Sequence, residues 1–202
     1  MKLYYKPGAC SLSPHIALRE AGLPVELVKV DLRSKVTEDG RDYRTINPMG
    51  SVPLLELDGG DRLTEGPAIV QYIADRVPDR QLAPAPGTMA RYRLAEWLNF
   101  IGTEIHKSFS PLFNPAMPEE AKQLARERLA KCFDHVEARL GEGPWLMGET
   151  FTVADGYLFT VLNWCNFVGI ELPRWPGLSA FVKRAAARPA VLEALRAEGL
   201  AG

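Results

Sequence analysis

The strand-like segments of this chain end at Leu63, and the prolines and glycine of residues 78–87 separate them from a remainder that carries only helical periodicity. A chain divided in this way predicts an αβ layer followed by an all-helical domain, not one continuous sheet. Its 202 residues suffice for one large domain or two small ones. In the first part, residues 3–5 read as a strand and 14–21 as a helix, with Ser13 at its cap, Pro14 at its first position and Gly22 ending it. Residues 25–30 read as the next strand, and 41–46 as a short helix stopped by Asn47-Pro48. Segments 52–57 and 62–63 flank Asp58-Gly59-Gly60-Asp61, a hairpin signal, and 67–76 is helical. The order β-α-β-α-β-β-α describes a thioredoxin-like layer over residues 1–78, with 79–87 as linker and 88–202 as the helical domain.

Within 88–202, Leu94, Leu98, Ile101, Ile105 and Phe109 form one helix face. Residues 119–140 read as a long helix with charged residues outside, and 151–168 is apolar nearly all round, as expected of a buried central helix. Thr152 to Asp155 has the spacing of a capping box, which assigns Asp155 a structural role. Two shorter helices, near 178–188 and 189–198, complete the pattern.

Composition narrows the partners. The net charge of −1 gives no electrostatic case for nucleic acid or an anionic membrane. No apolar run is long enough to span a bilayer, and no signal peptide is expected. Three widely spaced cysteines argue against a disulfide framework and fit a reducing cytoplasm. Cys132 and Cys165, in apolar helical sequence, read as buried inert thiols, and no metal-ligand spacing is present.

Cys10 differs from both. It follows the Pro7-Gly8 turn at the start of a helix, where free N–H groups and the positive end of the helix dipole favour a thiolate. Position 13, where a second cysteine would complete a dithiol motif, is serine, so Cys10 is suited to thiol chemistry with an outside molecule. Two further segments of the αβ layer join it as candidates. A proline after Val52, potentially cis, leaves the Val52 backbone to pair with an extended peptide ligand. Glu65 can accept an ammonium group, while Gly66 lets a ligand carboxylate approach a helix start. In the helical domain, Asn99, Thr103, His106 and Ser110 share a polar, mostly uncharged face near Trp97, Phe100 and Phe109, which reads as the half-buried wall of a cleft between the domains. His15 and His135 have no such company and read as structural or surface residues.

These motifs together resemble the beta class of bacterial glutathione transferases. They are Tyr4-Tyr5-x-Pro7-Gly8-x-Cys10-Ser11-Leu12-Ser13-Pro14, Asn47-Pro48-x-Gly50-x-Val52-Pro53, Leu63-Thr64-Glu65-Gly66, Trp97-Leu98-Asn99-Phe100, Glu104-x-His106-Lys107-x-Phe109-Ser110-Pro111-Leu112-Phe113 and Phe151-Thr152-Val153-Ala154-Asp155. The resemblance implies a thioredoxin-like domain that binds glutathione, an all-α domain that helps bind a small hydrophobic electrophile, and a homodimer. It implies that Cys10 touches the glutathione sulfur, that Val52 before a cis Pro53 pairs with the cysteinyl backbone, and that Glu65 and Gly66 hold the γ-glutamyl end. Leu32 and Lys35 would lie near the glycyl or cysteinyl part, and His106 and Lys107 would face the sulfur. Asn99, Thr103 and Glu104 would also reach the site, and Ser11 would help stabilise the sulfur, a role for which Tyr5 is the other hydroxyl candidate.

The expected activity is conjugation of glutathione, as co-substrate and without a metal, to electrophiles such as aryl halides, with thiol-disulfide exchange or peroxide reduction as side activities through Cys10. Two alternatives use the same residues: a glutathione-dependent reductive dehalogenase or thiol oxidoreductase in which Cys10 is obligatory, and a non-catalytic glutathione or ligand binder.

Overall fold

The computed structural model describes residues 1–201. They form two compact units. One comprises Met1–Leu82 together with the described residues from Arg188 on, and the other is Ala83–Ala187.

The first unit is built on a five-stranded mixed sheet, running in order through Val36–Thr37 (β3), Glu26–Asp31 (β2), Lys2–Tyr5 (β1), Leu54–Glu56 (β4) and Arg62–Thr64 (β5). Strands β1 (Lys2–Tyr5) and β2 (Glu26–Asp31) are parallel, joined through helix α1 (Leu12–Ala21). The hairpin β4 (Leu54–Glu56) and β5 (Arg62–Thr64) adds antiparallel strands on the other side of β1. A two-residue β3 (Val36–Thr37), too short to read from sequence, pairs with the end of β2. Side chains alternate across the sheet. Tyr4 and Leu54, opposite each other, join a cluster with Val28, Val30, Tyr43, Ile46 and Val52, while Leu3 and Leu55 face the other way and are equally buried. Both faces of the central strands are therefore covered, as in the predicted thioredoxin-like layer.

Local chemistry moves several boundaries. Helix α1 starts at Leu12, with Ser11 and not Ser13 at its cap position, and Gly22 ends it in the left-handed region at φ 67°. The expected helix at 41–46 is a single 3₁₀ turn, Tyr43–Thr45, with the Asp42 carboxylate accepting from the Arg44 N–H at 2.9 Å. Helix α2 (Gly66–Asp75) turns Ile69, Val70 and Ile73 into the core. Helix α9 (Pro189–Ala197), grouped by sequence with the helical domain, packs on α1 in the first unit. Arg188 forms a paired contact with Glu20 there, at 2.6 and 2.8 Å.

The second unit is all helical among its described residues. Helix α3 (Met89–Phe100) is capped by Thr88 and runs into a π-helical segment, Ile101–His106, a 3₁₀ turn, Lys107–Phe109, and a short α4 (Ser110–Phe113). The predicted apolar face is fully buried at Leu94, Leu98, Ile101, Ile105 and Phe109. Burying each such side chain stabilises by roughly 1.5–3 kcal/mol before entropy costs. Helix α5 (Glu119–Leu140) has the predicted bounds. The apolar stretch expected as one helix is two, α6 (Val153–Leu162) and α7 (Cys165–Val168), followed by α8 (Pro176–Ala186). Asp155 lies in the first turn of α6 and is fully buried. It accepts from the Leu146 and Thr152 N–H groups, both at 2.8 Å, and from the Thr152 hydroxyl at 2.9 Å. Burial pushes Asp155 up to about 6 against these three bonds, which favour the carboxylate. No helix among the described residues is long and apolar enough to cross a membrane.

Candidate thiol site

Cys10 sits on the turn between β1 and α1. Gly8, at φ +72°, allows the chain to reverse, and the Ala9 N–H closes the turn on the Lys6 carbonyl at 3.1 Å. The Ser11 hydroxyl staples the same turn, accepting from the Lys6 N–H at 3.1 Å and lying 3.2 Å from the Lys6 carbonyl. Ser11 is fully buried, and its hydroxyl bonds to the protein's own backbone. Glu198 holds the turn from below: its carboxylate accepts from the Gly8 N–H and lies against His15 Nδ1, both at 2.9 Å. Arg19 Nε donates to His15 Nε2 at 3.3 Å, a set of contacts satisfied by the tautomer with its proton on Nδ1. Tyr5, the other hydroxyl candidate, packs on the His15 ring, and burial, with Glu198 and Glu38 nearby, raises its pKa.

The Cys10 thiol is half-buried and donates to the Val52 carbonyl at 3.2 Å. Val52–Pro53 is a cis peptide bond. The structure thus brings Cys10 and Val52, ten and fifty-two residues into the chain, into direct contact. Lys35 joins this edge of the unit. It is held at φ +61°, a strained conformation for a side-chain-bearing residue, and its ammonium donates to the Gly50 carbonyl at 2.8 Å. Leu32 packs, partly exposed, on the cluster containing Val52. Glu65 is the second strained residue, at φ 66°, and occupies the cap position of α2 with its side chain exposed. A Cβ at Gly66 would meet nothing within 4 Å, so packing within the protein does not require glycine there.

In the second unit the expected polar stripe divides. Asn99, Thr103 and Ser110 are exposed, whereas His106 is drawn inward. The π-helical turn is the cause: it holds more residues per turn than the α-helix assumed in the sequence pattern, so positions beyond Ile101 rotate. His106 Nδ1 lies 2.6 Å from the Tyr157 hydroxyl, and its ring meets Trp164 edge-on at 4.8 Å. Burial, aided by the Lys107 charge, lowers His106 to about 4, so it is a neutral imidazole at ordinary pH. Phe109 and Phe113 complete the aromatic group around Trp164. The Thr103 hydroxyl lies 3.1 Å from the Asn99 carbonyl and 3.2 Å from Glu104 Oε1, two acceptors for its one proton, and Glu104 is paired with Arg128. Lys107 is exposed. His135 stacks on Trp97.

Cys132 and Cys165 are buried, and burial raises both thiols, Cys165 to about 12, which leaves Cys10 as the more accessible thiol among the three. Sequence reasoning missed Tyr157 and Trp164, which lie in a run apolar nearly all round, where no periodicity sets them apart. It also took Asn47-Pro48 for a helix stop, although Asn47 donates to the Ser51 carbonyl beside Val52.

Residues 8–76 match the family described as Glutathione S-transferase, N-terminal domain, and 119–184 match Glutathione S-transferase, C-terminal domain. The chain is 52% identical to glutathione S-transferase GstA of Escherichia coli O157:H7, over 99% of this chain and 100% of the relative. It is similar to a bacterial beta class glutathione S-transferase from Sphingomonas chungbukensis, with 50% identity and a TM-score of 0.96 over 99% of this chain and 100% of that one. It is also similar to a sphingomonad glutathione S-transferase complexed with glutathione, with 51% identity and a TM-score of 0.96 over the whole of both chains. This chain belongs to the glutathione S-transferase family and is an enzyme of that family, with the fold expected of its beta class.

Proposed function

We propose that this enzyme binds glutathione on its first unit, with the cysteinyl residue along Val52 and the sulfur against Cys10, and transfers it to small hydrophobic electrophiles. The observation that carries this reading is the Cys10 thiol resting on the Val52 carbonyl at 3.2 Å. A peptide paired with the Val52 backbone would bring its own sulfur to the same place. The sphingomonad relative complexed with glutathione supports the ligand. Lys35 supplies a cation for a glycyl carboxylate, Leu32 an apolar contact, and Glu65 with Gly66 a carboxylate and a free helix start for the γ-glutamyl group. On the second unit, His106, held neutral, and Lys107 are proposed as polar contacts to the sulfur or the electrophile. Asn99, Thr103 and Glu104 are proposed as outer contacts.

In conjugation, the glutathione thiolate attacks an electrophilic carbon. A carbon–sulfur bond forms and, for an aryl halide, the carbon–halogen bond breaks with release of halide. With glutathione disulfide, the Cys10 thiolate attacks one sulfur, forming a protein–glutathione disulfide and releasing one glutathione thiolate. We further propose a cytoplasmic homodimer, the form implied by the resemblance. The test is conjugation of an aryl halide and turnover of a mixed disulfide, each with wild type and Cys10→Ala. Retained conjugation with lost disulfide exchange is the expected result. Loss of all turnover would move the reading to obligatory Cys10 chemistry, and absence of both glutathione binding and turnover in wild type would overturn it.

A further inference from the structure

The peptide unit between Ser51 and Val52 is gripped on one side only. The Tyr43 hydroxyl donates to the Ser51 carbonyl oxygen at 2.9 Å, and Asn47 Nδ2 donates to the same oxygen at 2.7 Å. Both donors are buried, and both come from the segment just before the strand. Burial pushes the Tyr43 hydroxyl up to about 12, so it keeps its proton and remains a donor. The cis bond of this segment is Val52–Pro53, and the Ser51–Val52 peptide is trans. In a trans peptide the C=O and the N–H point in opposite directions. Fixing the oxygen inward therefore fixes the Val52 N–H outward. Among the described residues this N–H makes no hydrogen bond to protein, although Val52 itself is buried, and buried backbone N–H groups are rarely left in that state. Two donors on one carbonyl also polarise the peptide and strengthen the N–H at its other end.

We infer that Tyr43 and Asn47 are positioning residues for glutathione: they clamp the Ser51 carbonyl so that the Val52 N–H is presented to the cysteinyl carbonyl of the ligand. This rests on the reading that glutathione pairs with the Val52 backbone. Asn47 is matched to the task twice, because its Oδ1 also accepts from the Met49 N–H at 3.2 Å and its carbonyl accepts from the Gly50 N–H at 2.8 Å, which orders the turn leading to Ser51. The same turn receives the Lys35 ammonium on the Gly50 carbonyl, so the clamp and the cationic contact share one scaffold.

Two substitutions isolate the clamp. Tyr43→Phe keeps the ring that packs on Tyr4 and deletes the donor. Asn47→Asp keeps the Oδ1 acceptor for Met49 and replaces the Nδ2 donor by an oxygen facing the Ser51 carbonyl. Each is expected to raise KM for glutathione about fivefold to tenfold, the scale of one buried hydrogen bond, with kcat at saturating glutathione within about twofold of wild type. The Val52 amide resonance is followed by 15N NMR in parallel. In wild type its proton moves downfield on addition of glutathione, and in both variants this shift shrinks. Unchanged KM in folded variants with an intact wild-type shift would overturn the clamp while leaving the binding reading in place. No movement of the Val52 resonance in wild type at saturating glutathione would overturn the binding reading and the clamp with it. Equal losses in KM and kcat, or lowered unfolding midpoints with unchanged KM, would reduce both residues to structural ones and also overturn the inference.

Discussion

Glu198 is the residue whose removal should be felt furthest from its place in the sequence. Its carboxylate, fully buried, accepts from His15 Nδ1 and from the Gly8 N–H, both at 2.9 Å. It thereby ties the chain just beyond α9 to α1 and to the turn that carries Cys10. Glu198→Ala leaves two donors buried without partners. Each such loss costs about 1–3 kcal/mol, so about 2–6 kcal/mol is expected for the pair. Glu198→Gln retains one carbonyl acceptor but presents an NH₂ group to the other donor, and should lose about half as much. Urea unfolding of the three proteins, at one protein concentration because an oligomer's stability depends on it, measures both differences. The reasoning fails if Glu198→Ala falls within about 0.5 kcal/mol of wild type, the range of an ordinary surface change, or if the Gln variant is as unstable as the Ala variant.

His106 should titrate near 4 in an NMR experiment, and a midpoint above 6 would contradict its burial against Tyr157 and Trp164. Its folded value lies below the ordinary 6.5, so the unfolded chain binds the proton first on acidification, and stability present above about 6.5 should fall as pH drops towards about 4. Gly177→Ala would place a Cβ 2.9 Å from Glu137 Oε2, which accepts from the Leu178 N–H at 2.9 Å. A thermal shift corresponding to about 1–3 kcal/mol of destabilisation is expected, and an unchanged midpoint would show that Glu137 yields freely. Lys35→Ala should weaken glutathione binding in calorimetry with little effect on unfolding, whereas unchanged affinity would remove Lys35 from the site.

Where sequence and structure agree, the signal was local. The face from Leu94 to Phe109, the helix Glu119–Leu140 and the Thr152–Asp155 cap each follow from residue spacing along one helix. Cys10 and Val52 were legible as candidates because a helix start and a Val-Pro step have chemical consequences of their own, although their contact is a tertiary fact. What sequence hid depended on distant partners. Strand β3 is two residues long and exists by pairing with β2. The break at Asn163 and Trp164 lies in a run apolar on every side, where periodicity has no contrast. A π-helical turn cannot be read from a pattern that assumes 3.6 residues per turn, and it turned His106 away from Asn99 and Thr103. Helix α9 looks like any amphipathic helix, and only its Glu198 end, buried against His15 and Gly8, shows where it belongs.

The central claim is that Cys10, resting on the Val52 carbonyl, meets the sulfur of glutathione. Intact-protein mass spectrometry after incubation with glutathione disulfide, with peptide mapping and a Cys10→Ala control, tests it most directly. The account predicts one glutathione per chain, mapped to Cys10, released by reductant and absent from Cys10→Ala. An adduct on Cys132 or Cys165, or no adduct on Cys10 while glutathione demonstrably binds, would contradict it.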